Sequence, residues 1–458
     1  MKTVWKRLIC IAVPLLLLGA FACGQIPVEP ETEAPKTPMV SAAPTQAPAE
    51  EAVEVVVQAN TPVPTAPTLP PETHAPAETA VPSEAPSLVP SPATVTIGAV
   101  GDIMITSQIV EDAKVSGGAY DFTTLFAPFE PLFNAVDWMC GNLETPLAGQ
   151  EAGFAQRKDK ADAYVFNAPD SVLDALRDYG VDLLSTANNH ALDMGADGLY
   201  RTVETIREKG FYQTGTFLNE QDRDTPCIVE INGIRIGFVA STKKINAGSA
   251  GRMREGERQT AIAQLQKGDR LTDDVLRDIA RVKNAGAEFV ILFAHWDFEN
   301  DNPTAEETKR FAKQLIAAGA DCIVGSHPHR IKGAEYVTVQ RENGPYTGLV
   351  LYSLGNFTAN NTFEKMVGLY AQLTLCKDFT TGGVSLTDAA VLPTFTMRRA
   401  GSGAKFTVVP AYADPSAITG LKSPLTDAER QSIAKARAHA FGRLGTVEGL
   451  RILDAPAE

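Results

Sequence analysis

Beyond residue 94 the chain alternates between two hydrophobic periods. Val95 to Val100, Ala135 to Cys140, Val181 to Ser185, Ile234 to Ala240, Phe289 to Ala294 and Cys322 to Val324 are short continuous apolar runs, the pattern of strands buried on both faces. Between them, apolar positions recur every three or four residues. Val172, Leu173, Leu176 and Tyr179 share one side of a helix over Ser171 to Tyr179. Further helices are expected from about Asp197 to Lys209 with Gly210 as C-cap, from Asp273 to Ala285, and from Ala305 to Ala318, stopped by Gly319. Later runs (Leu349 to Ser353, Val367 to Leu375, Ala390 to Thr396, Phe406 to Val409) read as strands with few helices between them. About Asp427 to Phe441 is expected as a surface helix carrying a solvated His439. A βα-alternating half followed by a β-rich half predicts an α/β fold: two packed sheets with helices outside.

The first 93 residues follow neither period. Lys2, Lys6 and Arg7 precede an apolar stretch from Leu8 to Ala22, and Ala20-Phe21-Ala22 fits a signal-peptidase site. Export is the expectation. Cys23 then stands where a bacterial lipoprotein carries its lipid, which predicts a membrane anchor; plain secretion is the alternative. Residues 24–93 form a Pro/Ala/Thr/Glu-rich tract suited to a disordered spacer. The formal net charge is −14, of which +3 belongs to residues 1–23, −8 to the spacer and −9 to the remainder. A mildly acidic globular part argues against nucleic-acid binding. Cys140, Cys227, Cys322 and Cys376 are scattered without CxxC spacing, so buried thiols are expected rather than disulfides or a zinc–thiolate site.

Four of the six histidines stand with carboxylates and amides at or near the ends of the apolar runs. The clusters are Gly101-Asp102, Gly141-Asn142-Leu143-Glu144, Asn188-Asn189-His190, His295-Trp296-Asp297-Phe298-Glu299 and Gly325-Ser326-His327-Pro328-His329. Imidazole, carboxylate and carboxamide oxygen together form a donor set for one or two divalent ions that activate water. Strand carboxyl ends are where α/β folds gather such groups. Each cluster has a plainer reading as a turn, a cap or a core histidine. In extended backbone His327 and His329 would point the same way, since Pro328 keeps His327 out of the α region.

With Tyr352-Ser353-Leu354-Gly355-Asn356-Phe357, these blocks resemble in order the signature blocks of the CapA proteins of poly-γ-glutamate capsule biosynthesis, over about Thr94 to Leu375. That family is itself similar to calcineurin-like metallophosphoesterases. The resemblance implies a four-layer α/β/β/α sandwich at 94–400, a C-terminal extension at 401–458, and a metal centre at the strand ends holding Mn, Fe, Zn or Co. It implies Asp102, Glu144, Asn189, His295, His327 and His329 as metal ligands, with His190 and Asn189 as catalytic groups. Asn188, Asp297, Glu299 and Asn356 are candidate pocket residues. Met104 occupies the place of a histidine in the phosphoesterase pattern, which puts one metal position in doubt. Two functions follow as expectations. One is a metal-dependent hydrolase acting on a phosphoester or amide in an anionic envelope polymer or its precursor. The other is a non-catalytic polymer-binding, export or tethering subunit. Membrane subunits of a capsule synthase or exporter are the expected partners. Arg157-Lys158-Asp159-Lys160 and Lys243-Lys244 are the basic runs available to a polyanion.

Overall fold

A computed structural model of the chain describes residues 92–154, 164–300, 302–399 and 405–455, together with the backbone of 157–158. The signal segment, Cys23, the spacer and the side chains of the 157–160 basic run lie outside the described residues.

Two sheets carry the fold. The larger runs Phe406–Pro410, Gly383–Arg398, Val367–Asp378, Ala93–Ile103, Trp138–Leu143, Leu183–Ser185, Tyr212–Thr214, with Asn356–Thr358 joined to Ala93–Ile103 and Leu450–Ile452 to Gly383–Arg398. The smaller runs Ala334–Arg341, Gly344–Leu351, Cys322–Ser326, Phe289–His295, Ile234–Thr242, Cys227–Ile231. Ala93–Ile103, Trp138–Leu143, Leu183–Ser185 and Tyr212–Thr214 are mutually parallel, as are Ile234–Thr242, Phe289–His295, Cys322–Ser326 and Gly344–Leu351. Parallel strands need crossovers, and the predicted helices supply them: Ser171–Asp178, Gly195–Glu208, Asp273–Asn284 and Glu306–Ala318. Gly319 ends the last of these at φ 120°, a left-handed C-cap.

Strand alternation explains the layers. Phe289, Ile291 and Phe293 enter the core between the sheets with Val95, Ile97 and Ala99. Val290, Leu292 and Ala294 face the other way, onto Val275 and Ile279 of one helix and Phe311 and Leu315 of the next. Each Val, Leu, Ile or Phe among them removed from water contributes about 1.5–3 kcal/mol. Period two then places His295, two residues past Phe293, on the inner face. Outside the larger sheet, Phe126, Phe129 and Phe133 surround Phe357 with ring centroids 4.9–5.9 Å away. The helix Ser171–Asp178 joins the same core through Val172, Leu173 and Leu176. Helix, sheet, sheet and helix make the α/β/β/α sandwich.

Residues beyond 400 take part in this domain. Phe406–Pro410 pairs antiparallel with Gly383–Arg398, and Leu450–Ile452 pairs parallel with it. The helix Asp427–Leu444 opens on a Thr426/Glu429 capping box and buries Ile433, Ala436, Ala440 and Leu444 in the main core. The sequence reading placed these residues in an extension with a surface helix; small residues had hidden the buried stripe. His439 is half-buried, edge-on to Phe363 at 5.9 Å, rather than solvated. Cys140, Cys227, Cys322 and Cys376 are free thiols.

Candidate metal centre

The clusters converge at the carboxyl ends of the two parallel sets. One rung of the larger sheet aligns Asn356, Asp102, Asn142 and Ser185 on four neighbouring strands. Facing it, His295 is the last residue of its strand and pairs in register with Ser326. Asp102, Glu144, His295 and His327 are all buried, as is His329.

Two donor groups share Glu144. Asp102, Glu144 and His329 form one; Glu144, His295 and His327 form the other, with ligand atoms in each within 4.8 Å of one another. In the first, His329 Nδ1 lies 3.5 Å from Asp102 Oδ2 and 3.7 Å from Glu144 Oε2. In the second, His295 Nε2 lies 3.4 Å from Glu144 Oε1, 3.1 Å from His327 Nδ1 and 2.7 Å from Asn189 Oδ1. Ligands about 2.0–2.2 Å from one ion stand roughly 3 Å apart when adjacent, so these separations suit shared cations. Both Glu144 carboxylate oxygens are buried without a hydrogen-bond partner. An unpaired buried carboxylate is costly, and a cation between the two groups would answer it. The residues present therefore fit a divalent metal.

Supporting contacts aim the donors. Ser326 Oγ, 2.9 Å from His295 Nδ1, leaves Nε2 for the cluster. Asn142 Nδ2 donates to Asp102 Oδ1 at 2.7 Å. Asn189 Nδ2 donates to Asn246 Oδ1 at 2.9 Å, turning its own Oδ1 inward. Burial drives the His295 imidazole down to about 3 and His327 well below its ordinary value, so both offer lone pairs at neutral pH. Burial, then the Asp102 charge, raises the Glu144 carboxyl well above its ordinary value. Burial also acts to raise Asp102, but the His329 hydrogen bond, the His295 and His329 charges and the Asn142 amide outweigh it and leave it lowered.

His327 and His329 reach the cluster differently from expectation. Their φ angles are +96° and +55°, left-handed rather than extended. Such backbone costs on the order of 1–3 kcal/mol per residue and concentrates at functional sites. His327 N–H donates to Asp102 Oδ2 at 3.2 Å, one contact that holds the turn.

His190 sits beside the donors, its Nδ1 2.7 Å from buried Asp193 Oδ2 and its ring edge-on to Phe166. Asp193 also accepts from the Phe166 N–H at 2.9 Å and from Ser249 Oγ at 3.0 Å. A cavity of about 260 Å³ opens here, lined among others by Met104, Asn189, His190, Glu299, His329 and Lys365. The remaining pocket candidates divide. Asn188 holds its own turn, donating to Leu143 O at 2.9 Å and accepting from His190 N at 3.1 Å. Asp297 fills a turn at φ +67° and stands outside both donor groups. Glu299 lies on the far side of His329, 3.8 Å from Nε2, and pairs with Lys365 at 3.2 Å. Asn356 points in, its Oδ1 2.9 Å from His329 Nδ1. Sequence reading missed Asn142, Asp193, Asn246, Ser326 and Lys365 as partners. Asn142 and Ser326 stood inside the quoted clusters and Asp193 three residues after His190, whereas Asn246 and Lys365 left no signal in the sequence.

Residues 96–361, more than half of the chain, match the family described as bacterial capsule synthesis protein PGA_cap. This chain belongs to that family. It is 29% identical over 268 residues to capsule biosynthesis protein CapA of Bacillus anthracis, covering 57% of this chain and 59% of that protein. It is 29% identical over 260 residues to PGA biosynthesis protein CapA of Bacillus subtilis (strain 168), covering 56% and 61%. The match thus spans about three fifths of those relatives. Among solved structures, a novel phosphatase from Mycoplasma pneumoniae aligns over 65% of this chain and 93% of its own at 11% identity and a TM-score of 0.35. A likeness that low carries no argument.

Proposed function

We propose that this capsule-synthesis family member is an exported protein, lipid-anchored through Cys23, that hydrolyses or transfers a phosphoester or amide bond in an anionic envelope polymer or its precursor. The observation that carries the reading is Glu144, both of whose buried oxygens lack a partner between two sets of metal-type donors. Asp102, Glu144 and His329 would hold one ion, and Glu144, His295, His327 and Asn189 a second. A bound Mn, Fe, Zn or Co would supply Lewis acidity and an activated water.

The chain's own groups do the rest. Asp193 on Nδ1 fixes the His190 ring, leaving Nε2 for the cavity, where it holds the proton that a leaving oxygen takes. Asn246 keeps the Asn189 amide from turning. Lys244, whose charge reaches Glu299 and His327, is the positive charge offered to an anionic substrate, with Lys365 on the cavity wall offsetting Glu299. Met104 on the same wall favours the second reading, a polymer-binding or export subunit working with membrane partners, because a thioether is a poor donor for such ions.

The test is elemental analysis of the full chain with turnover of an aryl phosphodiester, beside His327→Ala and Glu144→Ala. Bound metal with turnover that both substitutions abolish supports the hydrolase. Folded, metal-free, inactive protein that retains polyglutamate overturns it.

A further inference from the structure

We infer that Asn356 is a metal ligand, completing the ion position formed by Asp102, Glu144 and His329. The inference rests on the metal-centre reading above. That position has three side-chain donors, and an amide oxygen would bring it to four protein donors, or five ligands with the activated water. The second position, by contrast, gains Asn189 Oδ1 beside its two imidazoles.

Three observations single out Asn356. It is the register partner of Asp102 on the adjoining parallel strand, so the two side chains leave the sheet on one face, side by side. Its amide orientation is fixed, because Nδ2 donates to Lys365 O at 2.8 Å and Oδ1 is thereby turned inward. That Oδ1 lies 2.9 Å from His329 Nδ1, the adjacent-ligand separation expected around one ion, and the residue is buried at 1% exposure. Without a cation the imidazole N–H donates to the amide oxygen; with one bound, both atoms turn their lone pairs to it.

The other nearby groups are committed elsewhere. Asn142 presents Nδ2 to Asp102 and accepts from Ser185 with Oδ1. Glu299 meets the far nitrogen of His329. Met104 reaches the cavity with a soft thioether. The backbone is built to hold Asn356 there. A Cβ on Gly101 would stand 1.9 Å from Gly355 O, and one on Gly368 would stand 2.2 Å from Asn356 O, so glycines on both neighbouring strands admit the chain at this point.

The experiment titrates Mn2+ alone into the metal-stripped full chain, counting equivalents by calorimetry and elemental analysis. The variants are Asn356→Leu, Asn356→Asp, the double variant Met104→His/Asn356→Leu, and His327→Ala as a probe of the other position. Wild type is expected to take two ions. Asn356→Leu should keep one, which further His327→Ala removes. Asn356→Asp should keep two and bind the weaker at least tenfold more tightly. The double variant should regain two, because an imidazole at position 104, on the cavity that His329 also lines, replaces the lost oxygen. Two equivalents of unchanged affinity in Asn356→Leu overturn the inference and leave the metal centre standing, as does a single wild-type ion indifferent to Asn356. Wild type that takes no metal overturns the metal-centre reading itself. Should Asn356→Leu not fold, the Asn356→Asp affinity decides: no tightening overturns the inference.

Discussion

Glu144 is a buried carboxyl with no hydrogen-bond partner on either oxygen, and its effect on stability opposes its role in binding. Its carboxyl is raised by burial and then by Asp102, so its contribution to folding is present below the ordinary carboxylate range and lost as pH rises through the folded value. At pH 7 the metal-free Glu144→Gln variant should therefore be more stable than wild type, by about 1–3 kcal/mol in urea unfolding, while losing its metal. His295 has the opposite sign. With its imidazole lowered to about 3 from an ordinary 6.5, the unfolded chain takes the proton first as pH falls. Its stabilisation is present above about pH 6.5 and lost toward pH 3. Metal-free protein should lose this contribution as pH falls from about 6.5 toward 3, and His295→Gln should flatten that slope. Asp193 reaches the chemistry through His190, while also holding the Phe166 N–H and Ser249. Asp193→Asn should lower turnover roughly a hundredfold with metal content unchanged, and should displace the pH–rate profile.

Elements owe their positions to a few close approaches. Between Tyr352 and Asn356 the chain passes against Gly325, Gly101 and Gly368, where an added Cβ would meet backbone oxygen at 2.0, 1.9 and 2.2 Å. Backbone cannot yield as a flexible side chain can. Gly368→Ala should therefore displace the Asn356–Thr358 strand, lowering the melting temperature by several degrees and weakening metal binding together. A change at Gly442, where an added Cβ meets nothing, should do neither. The strands that were read correctly were apolar on both faces. Tyr212–Thr214, Ala334–Arg341 and Asn356–Thr358 escaped notice because they are edge or three-residue strands, defined by pairing rather than by their own composition.

On the scale of the molecule, the site exists because two sheets end at one place. The chain closes the larger sheet with residues from beyond 400, since Phe406–Pro410 and Leu450–Ile452 both pair with Gly383–Arg398. Truncation after residue 400 should abolish cooperative unfolding, not merely trim an appendage. Among the described residues no helix is long and apolar enough to cross a membrane. The lipid anchor proposed at Cys23 has its own test. Mass measurement of a membrane extract, with Cys23→Ser as control, should find the lipid and its loss.

Sequence alone determined the alternation of periods, and with it the α/β sandwich, because burial on both faces or on one stripe writes directly into hydrophobic order. It also determined the donor types, since imidazole, carboxylate and amide chemistry belongs to the residue itself. Only the tertiary structure decided which of those residues meet. Asp297 and Asn188 were as good candidates as Asn356 by composition; the turn at φ +67°, the Leu143 carbonyl and the register with Asp102 separated them. Those distinctions depend on backbone direction and on contacts between residues far apart in the chain, which no local pattern encodes.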